Sequence, residues 1–193
     1  MALRSEESRQ AILDATISLV NPEEGEAISL QKLSIEQIAR EAGVSKTTIY
    51  RWWPSKVAVV IDSFLEHHVA RTPYNDELPA SEALRDHLAS VANVYGGSEG
   101  RLLAQVIAEC QHDPETMKEF KDRFWLNRLE TATTLIRRAQ DEGTIRDDLS
   151  SREVADILYA PIYFHLLLQS GPLDGEWAHR LFDTALEGCR SKK

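Results

Sequence analysis

The chain has 193 residues, of which 42% are hydrophobic and 27% are charged. With only seven prolines, nine glycines and two cysteines, this composition supports a folded core and excludes disordered, collagen-like and disulfide-rich proteins. The formal net charge of −9 argues against a nucleic-acid partner unless positive charge is concentrated locally.

The first 33 residues are predicted to form one amphipathic helix followed by a loop. Apolar residues recur with the spacing of one helical face over about residues 5–19. Pro22 and Gly25 then predict an irregular connection.

Two short helices are predicted next. Ser34 and Gln37 have the spacing of a capping box and open the second helix. Gly43 permits a tight turn after it, and Ser45 caps a third helix that Pro54 prevents from running far. From residue 55 an apolar helical stripe predicts a linker helix that leaves this three-helix unit.

Beyond residue 79 every strongly patterned segment has the period of a helix, and none alternates like a strand. Helices are predicted over about 81–95, 98–111, 114–142, 151–169 and 174–189, so the fold class is all-α. Ten of the twelve residues Ile157–Leu168 are apolar and cover the whole helix circumference. This segment is too short to cross a membrane, so we expect it to be buried on both sides, with a second copy of the chain as partner in a homodimer.

Positive charge is concentrated between Arg40 and Lys56, where four cations stand against one anion. Residues 57–193 carry the opposite balance, with 15 Lys and Arg against 23 Asp and Glu. Two short helices joined by a glycine turn form the geometry that inserts the second helix into the DNA major groove. Lys and Thr side chains at the start of that helix suit base edges, whereas Tyr50, Trp52 and Lys56 suit phosphates.

The residues predicted to contact double-stranded DNA are therefore polar or aromatic side chains within or beside the third helix. Trp53 is expected in the core, and for Trp52 a packing role is an open alternative. The predicted DNA-binding set is Ser45, Lys46, Thr47, Thr48, Tyr50, Arg51, Trp52 and Lys56.

Residues 5–65 resemble the TetR (tetracycline repressor) family of bacterial regulators. The matching elements are Ile38-Ala39, Gly43-Val44-Ser45 around the turn, Thr48-Ile49-Tyr50, Trp53 and Lys56. The resemblance implies a homodimer that pairs through its last two helices, binds a palindromic operator and is released by a small-molecule effector. It also implies a helix-turn-helix domain over residues 1–56 and a helical ligand-sensing and dimerisation domain over 57–193. Arg51-Trp52 departs from the smaller or His side chains of many relatives, so the outer DNA contacts are in doubt.

Aromatic and aliphatic residues of the second domain are candidates for the effector site, although residues at helical spacing are more often core. The candidate set is Tyr95, Ile107, Phe124, Trp125 and Tyr163.

Other function classes have little support in the sequence. The six histidines lack the spacing of a zinc helix, so no metal or other cofactor is expected. No nucleophile elbow or paired-carboxylate motif is present, which argues against an enzyme. The polar N-terminal decapeptide lacks an export signal, so a cytoplasmic protein is expected. The alternatives are a helical small-molecule-binding protein or enzyme with a vestigial DNA-binding motif, and an adaptor bundle.

Overall fold

The computed structural model describes residues 2–22 and 25–189. The chain divides into two compact units. The first comprises Met1–His67 and Leu102–Phe124, and the second comprises His68–Arg101 and Trp125–Lys193. The regular elements of the described ranges are helices, so the all-α prediction is confirmed.

Ten α-helices and one π-helical segment follow one another along the described residues, and none of these helices is long and apolar enough to cross a membrane. Their bounds are α1 Ala2–Val20, α2 Ile35–Glu41, α3 Lys46–Tyr50, α4 Lys56–Arg71, α5 Ala80–Tyr95, α6 Ser98–Cys110, α7 Pro114–Phe120, the π-helical segment Lys121–Trp125, α8 Leu126–Asp141, α9 Ser151–Leu168 and α10 Gly175–Cys189.

Helices α2 and α3 begin and end where the sequence signals predict. The Ser34 hydroxyl accepts a hydrogen bond from the backbone N–H of Gln37 at 3.2 Å, and the Gln37 side chain accepts one from the Ser34 N–H at 2.8 Å. Gly43 has a φ of +65°, a conformation that a side chain would strain. The Ser45 hydroxyl then accepts from the Thr48 N–H at 3.1 Å and caps α3.

The end of α3 is tied to α4 and to the π-helical segment by one carboxylate. Trp53 is almost fully buried, and its indole N–H donates to Oδ2 of Asp62 at 2.7 Å. Arg123 donates to the same oxygen at 2.9 Å and, through Nε, to Glu119 at 2.6 Å. Asp62 therefore holds Trp53, three residues after α3, and Arg123, 61 positions from Asp62 along the chain, in one network.

In the second unit α5 packs against α8, α9 and α10, and α9 also packs against α8 and α10. The core of this bundle consists of fully buried apolar side chains, among them Leu84, Leu88, Ile136, Ile162 and Phe182. Such burial stabilises each large side chain by about 1.5–3 kcal/mol relative to its exposed state.

Helix α9 buries only one of its apolar faces within the chain. Leu158, Ile162 and Leu166 are buried, but Phe164 and Leu168 are 55% and 63% exposed. The sequence predicts burial on both sides with a second copy of the chain as partner, and the single chain covers one side only. An exposed apolar face of this kind is typical of a surface that another molecule covers.

The helix predicted over residues 114–142 contains an irregularity that the sequence analysis did not predict. The structure divides it into α7, the π-helical segment and α8. A π turn adds one residue to a helical turn. Because residues 124 and 125 are both aromatic, an apolar side chain is available in either register, and the spacing does not reveal the change.

Replacement of Asp62 by Ala is expected to destabilise the protein. The buried Trp53 N–H would lose its acceptor, at a cost of about 1–3 kcal/mol, whereas the partly exposed Arg123 would keep its bond to Glu119. Thermal unfolding measures the effect. The matched control is Asp122→Ala, which removes an exposed helical ion pair with Lys118 and should leave the melting temperature nearly unchanged. Equal melting temperatures for the two variants would contradict the anchoring role of Asp62.

Candidate DNA-binding helix and ligand cavity

Helix α3 separates its buried side chain from its polar ones. Ile49 is fully buried, and α3 packs on α2. Lys46 and Thr47 are exposed, and Tyr50 is 55% exposed. A helix anchored by one apolar residue therefore presents polar side chains to solvent, as a helix that reads DNA must.

The residues that follow α3 differ in exposure. Arg51 is exposed, and Trp52 is 37% exposed with its ring 6.4 Å from that of Trp53. Trp53 is buried, so its predicted core position is confirmed. Trp52 both touches its neighbour and remains accessible.

Lys46 forms an exposed ion pair with Glu36 of α2, with 2.8 Å between Nζ and Oε1. The hydrogen bond from Lys46 lowers the pKa of the Glu36 carboxyl, and the same bond raises the pKa of Lys46. An exposed pair contributes little to stability, so it can open when another acceptor approaches.

Three residues of the predicted DNA-binding set have structural hydrogen bonds. Ser45 caps α3, and its hydroxyl lies 2.9 Å from that of Thr48. The Lys56 ammonium donates to the carbonyl oxygens of Leu30 and Leu33 at 2.8 and 3.0 Å. Lys56 thereby stabilises the turn before α2, an interaction that its position after Pro54 does not reveal.

The second unit contains a cavity of about 70 Å³ enclosed by residues of α4, α5, α8 and α9 and by Trp125. Its walls are mainly aromatic and aliphatic, and its polar side chains are few. The lining residues are His68, His87, Val91, Tyr95, Trp125, Arg128, Leu129, Ala132, Ala155, Asp156, Tyr159, Ala160 and Tyr163.

Three of the five predicted ligand residues line this cavity, namely Tyr95, Trp125 and Tyr163. Their rings form edge contacts, with 5.8 Å between the Tyr95 and Tyr163 centroids and 5.4 Å between those of Trp125 and Tyr163. Ile107 and Phe124 belong to the first unit and do not line the cavity. Phe124 is fully buried there, and helical spacing alone cannot distinguish such a core residue from a cavity wall.

A chain of hydrogen bonds runs through the polar side of the cavity. Nη2 of Arg128 lies 2.9 Å from Nε2 of His87 and 3.3 Å from the hydroxyl of Thr72. Nδ1 of His87 lies 2.7 Å from the hydroxyl of Tyr159. Because arginine only donates, Nε2 of His87 accepts, and the neutral ring carries its proton on Nδ1 and donates it to Tyr159.

Both histidines of the cavity are held neutral. Burial, together with the smaller effect of the positive charge of Arg128, lowers the pKa of His87 to about 3. Burial likewise lowers the pKa of His68 to about 3, with Arg128, His87 and Arg71 as the additional causes. The His68 ring stacks on Tyr95 with centroids 5.3 Å apart. Arg128 is therefore the cationic side chain among the lining residues at neutral pH.

Burial also keeps the three tyrosines of the cavity protonated. Burial raises the pKa of Tyr163 to about 12 and raises the pKa of Tyr159 and Tyr95 as well. A side-chain hydrogen bond also links Tyr95 and Tyr163.

Sequence reasoning missed Arg128, His87 and Tyr159. A signal for Arg128 was present, because it follows Trp125 by three residues and precedes Leu129 and Ala132 on the same apolar helical face. A charged residue inside such a stripe must be paired or must face a polar site. His87 and Tyr159 lie 72 positions apart, and only the packing of α5 against α9 brings them together.

Metal chemistry has no support at this site. Within the described part of the chain, no three His, Cys, Asp or Glu side chains are grouped to hold a metal ion.

Two family models match the chain. One, described as bacterial regulatory proteins of the tetR family, matches residues 29–62, which include α2 and α3. The other, described as the tetracyclin repressor-like C-terminal domain, matches residues 76–185 and so includes most of the cavity.

Individual relatives extend over nearly the whole chain. The HTH-type transcriptional regulator YdeS of Bacillus subtilis is 29% identical over 97% of this chain and 92% of its own length. The DNA-binding transcriptional repressor TetR of Mycobacteroides abscessus is 30% identical over 80% of this chain and 82% of its own. The solved structure of the TetR family transcription regulator SCO0332 superposes with a TM-score of 0.81 at 28% identity, covering 94% of this chain and 98% of that one.

Acidification is expected to destabilise the protein through the buried histidines. The pKa of His87 is about 3 in the folded state and 6.5 in its unperturbed state, so the unfolded chain takes up the proton first as pH falls. Stability is therefore fully present above pH 6.5 and is lost progressively towards pH 3. Melting temperatures measured across this range should fall.

His87→Gln tests the assignment, because glutamine cannot take up that proton. Its melting temperature should depend less steeply on pH than that of the parent protein. His112→Gln, which replaces an exposed histidine, is the control and should keep the parent slope. Identical slopes for both variants would show that His87 does not contribute to the pH dependence.

Proposed function

This chain belongs to the TetR family of DNA-binding transcriptional regulators, and we propose that it represses transcription as a homodimer on a palindromic operator and releases the DNA when an effector fills the cavity. The observation that carries the proposal is the pairing, in one chain, of a polar exposed α3 with an aromatic cavity in a separate unit. Such a regulator would act in the cytoplasm, where its DNA is.

The DNA contacts are assigned from the solvent exposure of each side chain and from the hydrogen bonds it already makes within the protein. Lys46 and Thr47, exposed at the start of α3, read base edges. Tyr50, Arg51 and Trp52 contact phosphates beside the groove. The remaining members of the predicted set, Ser45, Thr48 and Lys56, hold α3 and the turn before α2 in place.

The dimer is assigned to α9 and α10. Ile157, Phe164, Leu167 and Leu168 are all exposed apolar residues of α9, and a second copy would remove them from water. Burying an apolar surface gains about 25 cal/mol per Å², so a matching face on the same helix of a second copy is a stable solution.

The release of DNA is explained by a change in the distance between the two α3 helices of the dimer. Two α3 helices of one dimer enter successive major grooves only when they lie about 34–36 Å, or a multiple of this, apart. Helix α4 begins three residues after Trp53 and carries His68, a residue of the cavity wall, near its other end. An effector that displaces α4 therefore changes the separation of the two reading helices.

The alternative of a small-molecule-binding protein or enzyme with a vestigial DNA-binding motif makes a different prediction, since it requires no sequence-selective binding. Selection of bound fragments from a random DNA pool separates the two. A palindromic consensus supports the repressor, and recovery of unselected sequence supports the alternative.

Substitutions on α3 should act in two distinct ways. Lys46→Ala and Thr47→Ala are expected to change the preferred bases, because each good base-edge contact discriminates by about 1–3 kcal/mol. Tyr50→Ala is expected to weaken binding to all sequences by a similar factor, because phosphate contacts carry no base information. Repeating the selection with each variant, followed by titration of the selected sites, measures both effects.

Lys118→Ala serves as the control for charge alone, since it removes an exposed cation from the first unit outside α2 and α3. It should leave both affinity and consensus unchanged. If the Lys46 and Thr47 variants select the parent consensus, the assignment of base reading to the start of α3 is wrong.

Phe164→Asp is expected to convert the dimer to a monomer. Phe164 is 55% exposed in the single chain, so the fold tolerates the change, whereas a dimer would bury an unpaired charge. Sedimentation velocity measures the association state. Leu126→Asp, at a similarly exposed leucine of α8, is the control and should remain dimeric. A parent protein that sediments as a monomer contradicts the proposed dimer directly.

A further inference from the structure

Resting on the proposed effector role of the cavity, we infer that the effector is a small aromatic acid. Its carboxylate pairs with Arg128, and its ring lies against the walls formed by Tyr95, Trp125 and Tyr163.

The first support is the hydrogen bonding of the Arg128 guanidinium. Its two assigned hydrogen bonds both leave from Nη2, to Thr72 and His87. Among the described residues no carboxylate forms an ion pair with Arg128. An arginine presents five N–H donors in a planar fork, so Nε and Nη1 are left for an acceptor. A charge in surroundings this apolar is stabilised most by an anion that binds both arms of the fork.

The carboxylates nearest the cavity are already engaged. Asp156, which is among the lining residues, accepts from Nε of Arg152 at 3.0 and 3.1 Å. Glu99, whose charge acts on Tyr95, is paired with Arg71. With His68 and His87 both neutral, the cavity has one cation that an incoming group can neutralise.

The second support is the direction of the hydrogen bonds. Arg128 donates to His87, and His87 donates to the Tyr159 oxygen. The hydroxyl proton of Tyr159 is therefore not used in this chain and can be donated to a ligand. Arg128 and Tyr159 therefore offer donors to the cavity, and a ligand that fits them presents acceptors.

The third support is the shape and size of the apolar part. The rings of Tyr95 and Trp125 each meet Tyr163 edge to face, and they provide flat surfaces on which a ring can stack or pack edgewise. A cavity of about 70 Å³ has room for several water-sized groups, which limits the ligand to a small molecule. These walls favour a planar ring over a flexible aliphatic chain.

The test uses the full-length protein and four probes of similar size: benzoate, phenylacetate, benzamide and hexanoate. Calorimetric titration measures binding. Fluorescence of a variant that lacks Trp52 and Trp177 follows Trp125 in the cavity, and the same variant with Trp125→Phe gives the contribution of the remaining Trp53, which is subtracted. The acid benzoate or phenylacetate should bind at least about tenfold more tightly than the neutral benzamide, as expected for loss of a charge-assisted bond. The aromatic acids should also bind more tightly than hexanoate.

Variants locate the contact. Arg128→Gln should abolish the preference for benzoate over benzamide. Tyr159→Phe keeps the ring and removes the hydroxyl donor, and it should weaken the affinity for benzoate by about threefold to tenfold. Arg137→Gln, at an exposed arginine of the same helix, should bind benzoate like the parent protein. If Arg128→Gln fails to fold, the Tyr159 variant and the probe preferences of the parent protein still decide the matter.

The inference would be overturned by benzamide binding as tightly as benzoate, by hexanoate binding as tightly as the aromatic acids, or by no saturable binding of either aromatic acid. Competition by inorganic phosphate at equal concentration would reduce the site to a simple anion site and would also overturn it. Titration of the acids into the complex with selected DNA examines the proposed function separately. Acids that bind the free protein but leave DNA affinity unchanged support the inference and contradict the inducer mechanism.

Discussion

The position of the DNA-reading helix depends on one carboxylate. Asp62 accepts hydrogen bonds from the Trp53 indole and the Arg123 guanidinium, and both donors lie in largely buried surroundings. Helix α3 has only five residues, too few to be stable by itself, so its orientation is set by its buried Ile49 and by the chain that follows it. Because Trp53 follows α3 so closely, any shift of Asp62 along or about α4 is transmitted to the reading helix.

The same network leads in sequence to the cavity of the second unit. Arg123 and Trp125 belong to one π-helical segment of five residues, and Trp125 lines the cavity while Arg123 holds Asp62. A π turn often marks a functional position because it departs from the regular helix at a cost in stability. An effector that moves Trp125 acts on this segment. By linkage, an effector that weakens DNA binding by some factor is itself bound more weakly to the DNA complex by the same factor.

The sequence predicted well those features of the fold that depend on residues close together in the chain. The capping box at Ser34, the left-handed glycine at Gly43 and the cap at Ser45 each depend on residues three or four positions apart, and the structure contains all of them. The burial on both sides predicted for Ile157–Leu168 is met on one side only in the single chain, because hydrophobicity indicates that a face avoids water and does not say which molecule covers it. The Lys56 interaction with Leu30 and Leu33 was missed because carbonyl acceptors leave no trace in the side-chain pattern.

The spacing of residues along a helix cannot predict which buried side chains line the cavity. Tyr95, Trp125 and Phe124 are all aromatic residues on helices, yet two line the cavity and the third lies in the core of the first unit. Periodicity assigns a side chain to the buried side of its own helix, but a cavity arises where several helices fail to fill the space between them. A buried charge is more informative, because Arg128 on an apolar face needs an acceptor wherever the helices place it. Within this cavity its described partners are neutral, and that electrostatic imbalance selects an acid among the ligands that the aromatic walls would otherwise admit.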